Sequence, residues 1–362
     1  MRHSIRFFGL ILAALAGAPA DGQTLYTLQN LGLAGASISA AQGINNSGVA
    51  VGYVDASGGF YYQAFTAALF TPGKPVSNPG VLVNFPATDA YAINDAGQSV
   101  GWALRDLGVF PGPTQTHAVL FVHDTAHDLG VIPGGSMSTA YGINQLGVAV
   151  GSSDTNASNI GPNPTHAARF ANGQVTDLGT YPGDMSSVAY AIDGAGTAVG
   201  SSFDPNDTER AVQFGSGQVA LLGLRPGDLA SHANGINDQG QAVGWSAPRS
   251  GVSHAVMFAA GQVVDLGIFP GGTFSVATAI NNFGQVAGYG DTPTDYFAHA
   301  LLFENGQVID LGTLPGGQGS SAQAINDHGD LVGSGDDGQG HLFALKWTLA
   351  HRFVGPVGGK QP

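Results

Sequence analysis

The chain has no cysteine, so no disulfide framework can hold it and its stability must come from its core alone. Charge is also scarce: Asp, Glu, Lys and Arg make up only 10% of the residues, with 11 basic against 25 acidic, a formal net charge of −14. Phosphate recognition needs basic patches, so this balance argues against a nucleic acid partner and against an anionic membrane surface. Beyond the N-terminus no apolar run approaches the length of a membrane span. The single Gly-x-Ser-x-Gly match, Gly97-Gln98-Ser99-Val100-Gly101, has no strand-to-helix setting around it, which leaves a serine hydrolase poorly supported. No Asp-x-Asp-x-Asp-Gly loop is present, and the calcium signal is correspondingly thin.

Glycine, in contrast, is abundant at 57 residues and evenly spread, as suits many short strands joined by tight turns. The first twenty residues stand apart. Arg2 and Arg6 precede an apolar run from Phe7 to Ala16, and Ala18-Pro19-Ala20 ends it as an A-x-A site. This pattern predicts a signal peptide over residues 1–20 and a secreted or periplasmic protein, an uncleaved anchor being the alternative.

From there a phrase of the form A-x-[AG]-[IV]-[ND]-x-x-G-x-x-V-G, loosely read, returns seven times. Its isoleucines are Ile44, Ile93, Ile143, Ile192, Ile236, Ile280 and Ile325. Two further phrases accompany it. One is "HAVLF" at His117, "HAARF" at His166, "HAVMF" at His254 and "HALLF" at His299; the other is "DLG" at Asp128, Asp177, Asp265 and Asp310. Asn-Gly turns such as Asn172-Gly173 read as hairpins, because both residues tolerate positive φ. Four short strands per period of this length predict an all-β fold, a seven-bladed β-propeller with four strands per blade over residues 21–350 and a tail over 351–362; a linear solenoid is the alternative.

Side-chain size suggests the strand order. The small-residue A-x-A/G-I-N strand belongs innermost, followed outward by the V-G strand, the H-A-F strand and the D-L-G strand. The last copy stops at His341–Trp347 without a D-L-G strand, and the chain begins with an unpartnered one, Leu25 to Gly32. The N-terminal strand is therefore expected to close the ring on the last blade, leaving a monomer with no open end.

The "HAV", "HAA", "HAL" and "HLF" phrases at His117, His166, His254, His299 and His341 resemble those of the HAF-repeat family of probable extracellular proteins. The resemblance runs over nearly the whole chain beyond residue 20. It implies secretion and a repeated fold, and it implies no reaction. Gln63 and Arg210 stand where the phrase has His.

Three recurring patterns are candidates for chemistry. His precedes Asp by eleven residues in four copies, as His117–Asp128, His166–Asp177, His254–Asp265 and His299–Asp310. With a two-residue Asn-Gly turn, Ala168 faces Asp177 and His166 lies diagonal to it, within reach. Where His gives way to Gln63 or Arg210, the acid gives way too, to Asn84 and Leu221. Four identical copies suit scaffolding better than a catalytic dyad, and ligands this far from the axis cannot share one metal ion. A second pattern places a hydroxyl five residues before each isoleucine: Ser39, Thr88, Ser138, Ser187, Ser231, Ser275 and Ser320. These would circle a channel mouth or bond to neighbouring backbone.

The third pattern is acidic. Asp55, Asp154, Asp204, Asp291 and Asp336, with Asp337, follow the V-G glycine where variable loops begin, near Tyr61, Tyr62, Trp102, Trp245, Tyr296 and Phe297. Such residues suit sugar or calcium binding, or the capping of turns. The resulting expectation is a non-catalytic binding module for a glycan or an extracellular protein. A carbohydrate-active lyase or hydrolase using the loop carboxylates is the alternative. No cofactor beyond calcium is suggested.

Overall fold

The computed structural model describes residues 25–32, 36–55, 65–106, 114–156, 164–215, 217–248, 251–293 and 297–351. The signal segment, Gln63, Tyr61, Tyr62, Tyr296, most of a second "DLGVFPG" phrase beginning at Asp106, and the tail after His351 lie outside them. All regular structure among the described residues is β-strand, and no helix long and apolar enough to cross a membrane occurs there.

The repeat folds into sheets in sequence order. One unit runs Ala87–Ile93, Ser99–Asp106, Thr114–Val122, Thr125–Gly130, each strand antiparallel to the next. Among the described residues there are five such four-stranded sheets. A further, seven-stranded sheet joins Ile38–Ile44, Ala50–Asp55 and Phe65–Phe70 to Ser320–Ile325, Leu331–Asp336 and Leu342–His351 through one parallel bridge between Ile38 and Leu342. Leu25–Asn30 lies antiparallel along Leu342–His351, with Leu28 opposite Trp347.

The first copy departs from the expected four strands. After Phe65–Phe70 only isolated bridges, Leu69 to Ser77 and Leu82 to Phe85, replace an outer strand. Pro72, Pro75 and Pro79 explain the loss, since proline has no N–H to give a ladder.

The turns form for the reasons legible in their residues. At Asn172-Gly173 both φ angles are positive, 52° and 72°, as a two-residue hairpin turn requires. In the Asn-x-x-Gly turn, Asn45 Oδ1 accepts from Ser47 N and Val49 N, so the side chain organises its own loop. Asn45 Nδ2 then donates to Asn94 O in the next copy, Asn94 to Asn144 O, and Asn144 to Asp193 O, all at 3.1 Å. Asn237 reaches Asn281 O, Asn281 reaches Asn326 O, and Asn326 reaches Asn45 O. Asp193 has no amide to donate; there Gly194 N bonds Asp238 Oδ1 at 2.8 Å instead.

Between sheets the packing layers alternate small and large. Val150 and Ala167 from one sheet meet Ala189, Ile192, Val212 and Phe214 from the next. One position in the third strand carries Phe70, Phe121, Phe170, Phe214, Phe258, Phe303 and finally Trp347, all buried. Burying each aromatic contributes about 2–3 kcal/mol, and alanines at the narrow inner side let the sheets converge.

The hydroxyl series turns out to be a set of staples. Each of the seven oxygens accepts a backbone N–H from the third strand of a neighbouring copy, at 2.8–3.0 Å; Ser187 takes Ala167 N and Ser39 takes Ala344 N. Ser138, Ser187, Ser275 and Ser320 also donate to the D-L-G glycine carbonyl. All seven are buried and do not circle a channel mouth; each satisfies a backbone N–H that packing has cut off from water, and four of them satisfy a carbonyl as well.

Candidate functional site

The isoleucines at the ends of the first strands form a waist between two cavities. On the tight-turn side, about 220 Å³ is lined by Asn, Asp and Gln side chains of the Asn-x-x-Gly turns. On the side where these strands begin, next to the Pro-Gly links, about 200 Å³ is lined by residues from all seven copies. The two rims are built differently.

At the turn-side rim the polar groups satisfy one another. Asn46 N donates to Asp95 Oδ1, Asn282 N to Asp327 Oδ1 and Asp327 N to Asn46 Oδ1, at 2.8–2.9 Å.

The link-side rim depends on a bulge. In every copy the ladder between the first and second strands slips at the residue two before the isoleucine. A bulge re-aims the side chain it leaves unpaired. It also explains the V-G glycine: a Cβ at Gly101 would sit 1.9 Å from Asp89 O, and at Gly52, Gly151, Gly200, Gly244, Gly288 and Gly333 between 1.8 and 2.0 Å from the equivalent oxygen. The bulged residues are Gln42, Tyr91, Tyr141, Tyr190, Asn234, Thr278 and Gln323, and all line the cavity. Three consecutive copies thus present tyrosine and the other four present amides or a hydroxyl.

The tyrosines continue into a row. Tyr91–Tyr141, Tyr141–Tyr190 and Tyr190–His232 have ring centroids 5.2, 5.2 and 4.6 Å apart, and His232 stacks on Trp245 at 5.8 Å. Burial pushes the three tyrosine hydroxyls up, so they are neutral donors. Two ionisable groups flank the row. His232 Nδ1 lies 2.5 Å from Glu209 Oε1 and 3.0 Å from Ser201 Oγ. Both partners meet the same ring nitrogen, whereas a serine triad places nucleophile and acid on opposite nitrogens. At the other flank Asp89 is 3% exposed and accepts from Gln42 Nε2 at 2.9 Å. Burial pushes its carboxyl up to about 7, only partly offset by Gln42 and the Ala90 amide.

The residues singled out by sequence fall elsewhere. Trp102 is 8% exposed, packed with Phe65, Ala87 and Leu104, and its Nε1 donates to Tyr91 Oη at 2.9 Å. It therefore braces a rim tyrosine and is not displayed on a loop; Trp245 stands behind His232 in the same way. The loop acids sit one per copy of the repeat and are not brought together. Asp154 accepts from Ser136 N, Ser136 Oγ and Met137 N at 2.6–2.8 Å. Asp291 does the same with Thr273 and Phe274, and Asp336 with Gln318, Gly319 and Gly338. Partial burial raises the Asp291 and Asp336 carboxyls, but these hydrogen bonds together outweigh it and hold both below the usual range. Asp204 caps its own loop through Asn206 N and Thr208 N and pairs with Arg210 at 2.8 Å. Asp55 is fully buried. Among the described residues no group of three or more His, Asp or Glu could hold a metal ion. With their oxygens occupied by N–H and O–H donors, Asp154, Asp291 and Asp336 do not fit a calcium site.

The His–Asp series lies on the outer hairpins. Ala168 is opposite Asp177 in the ladder, and His166 Nδ1 is 2.9 Å from Asp177 Oδ2. The other distances are 2.7 Å for His117–Asp128, 3.1 Å for His254–Asp265 and 3.0 Å for His299–Asp310. Each Asp also accepts from the glycine N–H two residues on, pinning the end of the D-L-G strand. Arg210, which replaces a His, pairs with Asp184 and Asp204 instead.

Reasoning from sequence missed the rim. Its signal was present at the unspecified position of A-x-[AG]-I-N, where Tyr91, Tyr141 and Tyr190 follow one another in three successive copies.

No family model matches the sequence, and no curated protein matches it. Solved structures do resemble the fold. The β-propeller domain of the Trilobed protease from Pyrococcus furiosus, described as having an open velcro topology, is 8% identical with a TM-score of 0.52, over 90% of this chain and 99% of that one. A puromycin-hydrolyzing peptidase from Mycobacterium tuberculosis is 11% identical with a TM-score of 0.52, over 91% of this chain and 56% of that one. TolB from Acinetobacter baumannii is 13% identical with a TM-score of 0.42, over 69% of this chain and 63% of that one. The chain thus spans less than two thirds of the length of the latter two. The first of these likenesses shows a β-propeller fold and, at such identity, nothing further.

Proposed function

We propose that the protein is a secreted or periplasmic, monomeric seven-bladed propeller of the HAF-repeat kind. It acts as a non-catalytic binding module for a glycan or an extracellular protein, through the link-side rim of its central cavity. The observation that carries this reading is the break in symmetry at the bulged position. Seven equivalent side chains enter one cavity, and three consecutive ones are tyrosine. A unique ligand needs a unique surface, and a repeat supplies one only where its copies differ.

Closure of seven blades is supported by contacts that tie the first copy to the last: Ser39 to Ala344 N, Asn326 to Asn45 O, and Leu25–Asn30 along Leu342–His351. Deleting residues 25–32 should expose the edge of Leu342–His351 and lower the melting temperature by several degrees or cause aggregation. Unchanged melting and solubility would argue against closure. The enzyme alternative draws no support from Asp154, Asp204, Asp291 and Asp336, whose oxygens are engaged in capping turns, nor from Asp55, which is buried. The binding reading is tested on a glycan array and by pull-down from extracellular fractions, with Tyr141→Ala/Tyr190→Ala beside the unaltered protein. Loss of retention in the double variant is expected; equal retention counts against the rim.

A further inference from the structure

The link-side rim is selective in its hydrogen-bonding character. Asn234 Nδ2 donates to Ala277 O at 2.8 Å and Thr278 Oγ1 donates to Ala322 O at 2.9 Å, both backbone carbonyls of the next copy. A carbonyl only accepts, so these contacts fix which end of Asn234 is nitrogen and which is oxygen. Gln42 Nε2 is likewise engaged by Asp89 Oδ2. One N–H of each of these two amides and the Thr278 hydroxyl are thus engaged within the protein, and the amide oxygens of Asn234 and Gln42 remain as acceptors. Directly behind Gln42 stands Asp89, 3% exposed, whose second oxygen Oδ1 has no hydrogen bond of normal geometry among the described residues. Among the described residues no Lys or Arg lines the cavity. Opposite, Tyr91, Tyr141 and Tyr190 supply π-electron-rich rings.

We infer that the group received at this rim is an alkylammonium, carried by a free amine or by a lysine side chain of a partner; this rests on the binding reading above. An ammonium carries only donors, which matches the acceptor oxygens that Asn234 and Gln42 leave open on the polar half. It is attracted by aromatic rings and by a nearby carboxylate. An anion would meet the amide oxygens and Asp89. A sugar hydroxyl both donates and accepts, so it gains less than an ammonium from oxygens that only accept. The excess of 25 acidic over 11 basic residues favours the approach of a cation.

Titration calorimetry on the full chain at pH 8 tests this with three probes: putrescine for the free amine, N-acetyl-lysine methylamide for the side chain, and N-acetyl-norleucine methylamide as the neutral isostere. At least one ammonium probe should bind tenfold or more tightly than the isostere, and which one binds identifies the source. Asp89→Asn and Tyr141→Leu should each weaken that binding at least tenfold, while Phe283→Ser on the turn side leaves it unchanged. Should Asp89→Asn fail to fold, Tyr190→Leu replaces it. Equal binding of the isostere, no binding of either amine, or full affinity in the rim variants would overturn the inference. A glycan that binds while neither amine does would remove the ammonium and leave the binding module standing.

Discussion

The two rims of the central cavity are made by the same strands, a few residues apart, yet they obey different rules. On the turn side nearly every copy repeats an Asn whose oxygen closes its own turn and whose amide holds the next copy. On the link side the backbone repeats as faithfully, with a bulge and a glycine in each copy, but the side chain it projects changes from Gln to Tyr to Asn to Thr. Repetition marks where the chain holds itself together, and variation marks where it faces something else.

That contrast can be broken most severely at the bulge. Gly101→Ala forces a Cβ to 1.9 Å from Asp89 O, inside a rigid backbone crossing, and should cost more than about 4 kcal/mol or abolish folding. Gly173→Ala, with φ of 72° and open space around it, should cost only about 1–2 kcal/mol in the same melting series. Equal costs would mean the bulge is not what demands glycine. Next in size is the staple. Ser187→Ala leaves Ala167 N buried without an acceptor and should cost about 1–3 kcal/mol by chemical denaturation.

Asp89 sharpens the comparison through pH. Its folded pKa, raised to about 7 by burial, exceeds its ordinary value of 3.8. The folded state therefore holds a proton that the unfolded state releases between these values. Stability should fall as pH rises from about 4 to about 7, a loss that Asp89→Asn removes. A variant and parent with parallel pH profiles would contradict this. The smallest effect belongs to the outer hairpins. Asp177 is 39% exposed, so His166→Ala or Asp177→Ala should cost at most about 1 kcal/mol, and the double variant less than the sum. Strict additivity would mean the pair contributes no coupling.

Much of this was legible in the sequence because the repeat writes the backbone's needs directly. The spacing of Asn-Gly turns and the size gradient from alanine to phenylalanine foretold the strand order, and the eleven-residue interval placed His166 diagonal to Asp177. The prolines after Phe70 could have warned that the first copy lacks a regular outer strand. The rim was illegible for a physical reason. Strict alternation assigns each strand residue to one face, and a bulge suspends that rule, so Tyr91 looked like a filler between two alanines. The loop acids admitted two readings because a carboxylate that caps a Pro-Gly turn, as Asp291 does, occupies the same sequence position as one free to bind.

The most direct test of the account measures retention of three proteins side by side on a glycan array and on an immobilised diamine resin. They are the parent, Tyr141→Ala/Tyr190→Ala at the link-side rim, and Leu146→Ser/Phe283→Ser at the exposed tips of the turn side. The account predicts that the parent and the turn-side variant are retained alike and the tyrosine variant is not. Retention of the tyrosine variant with loss of the turn-side one would contradict it.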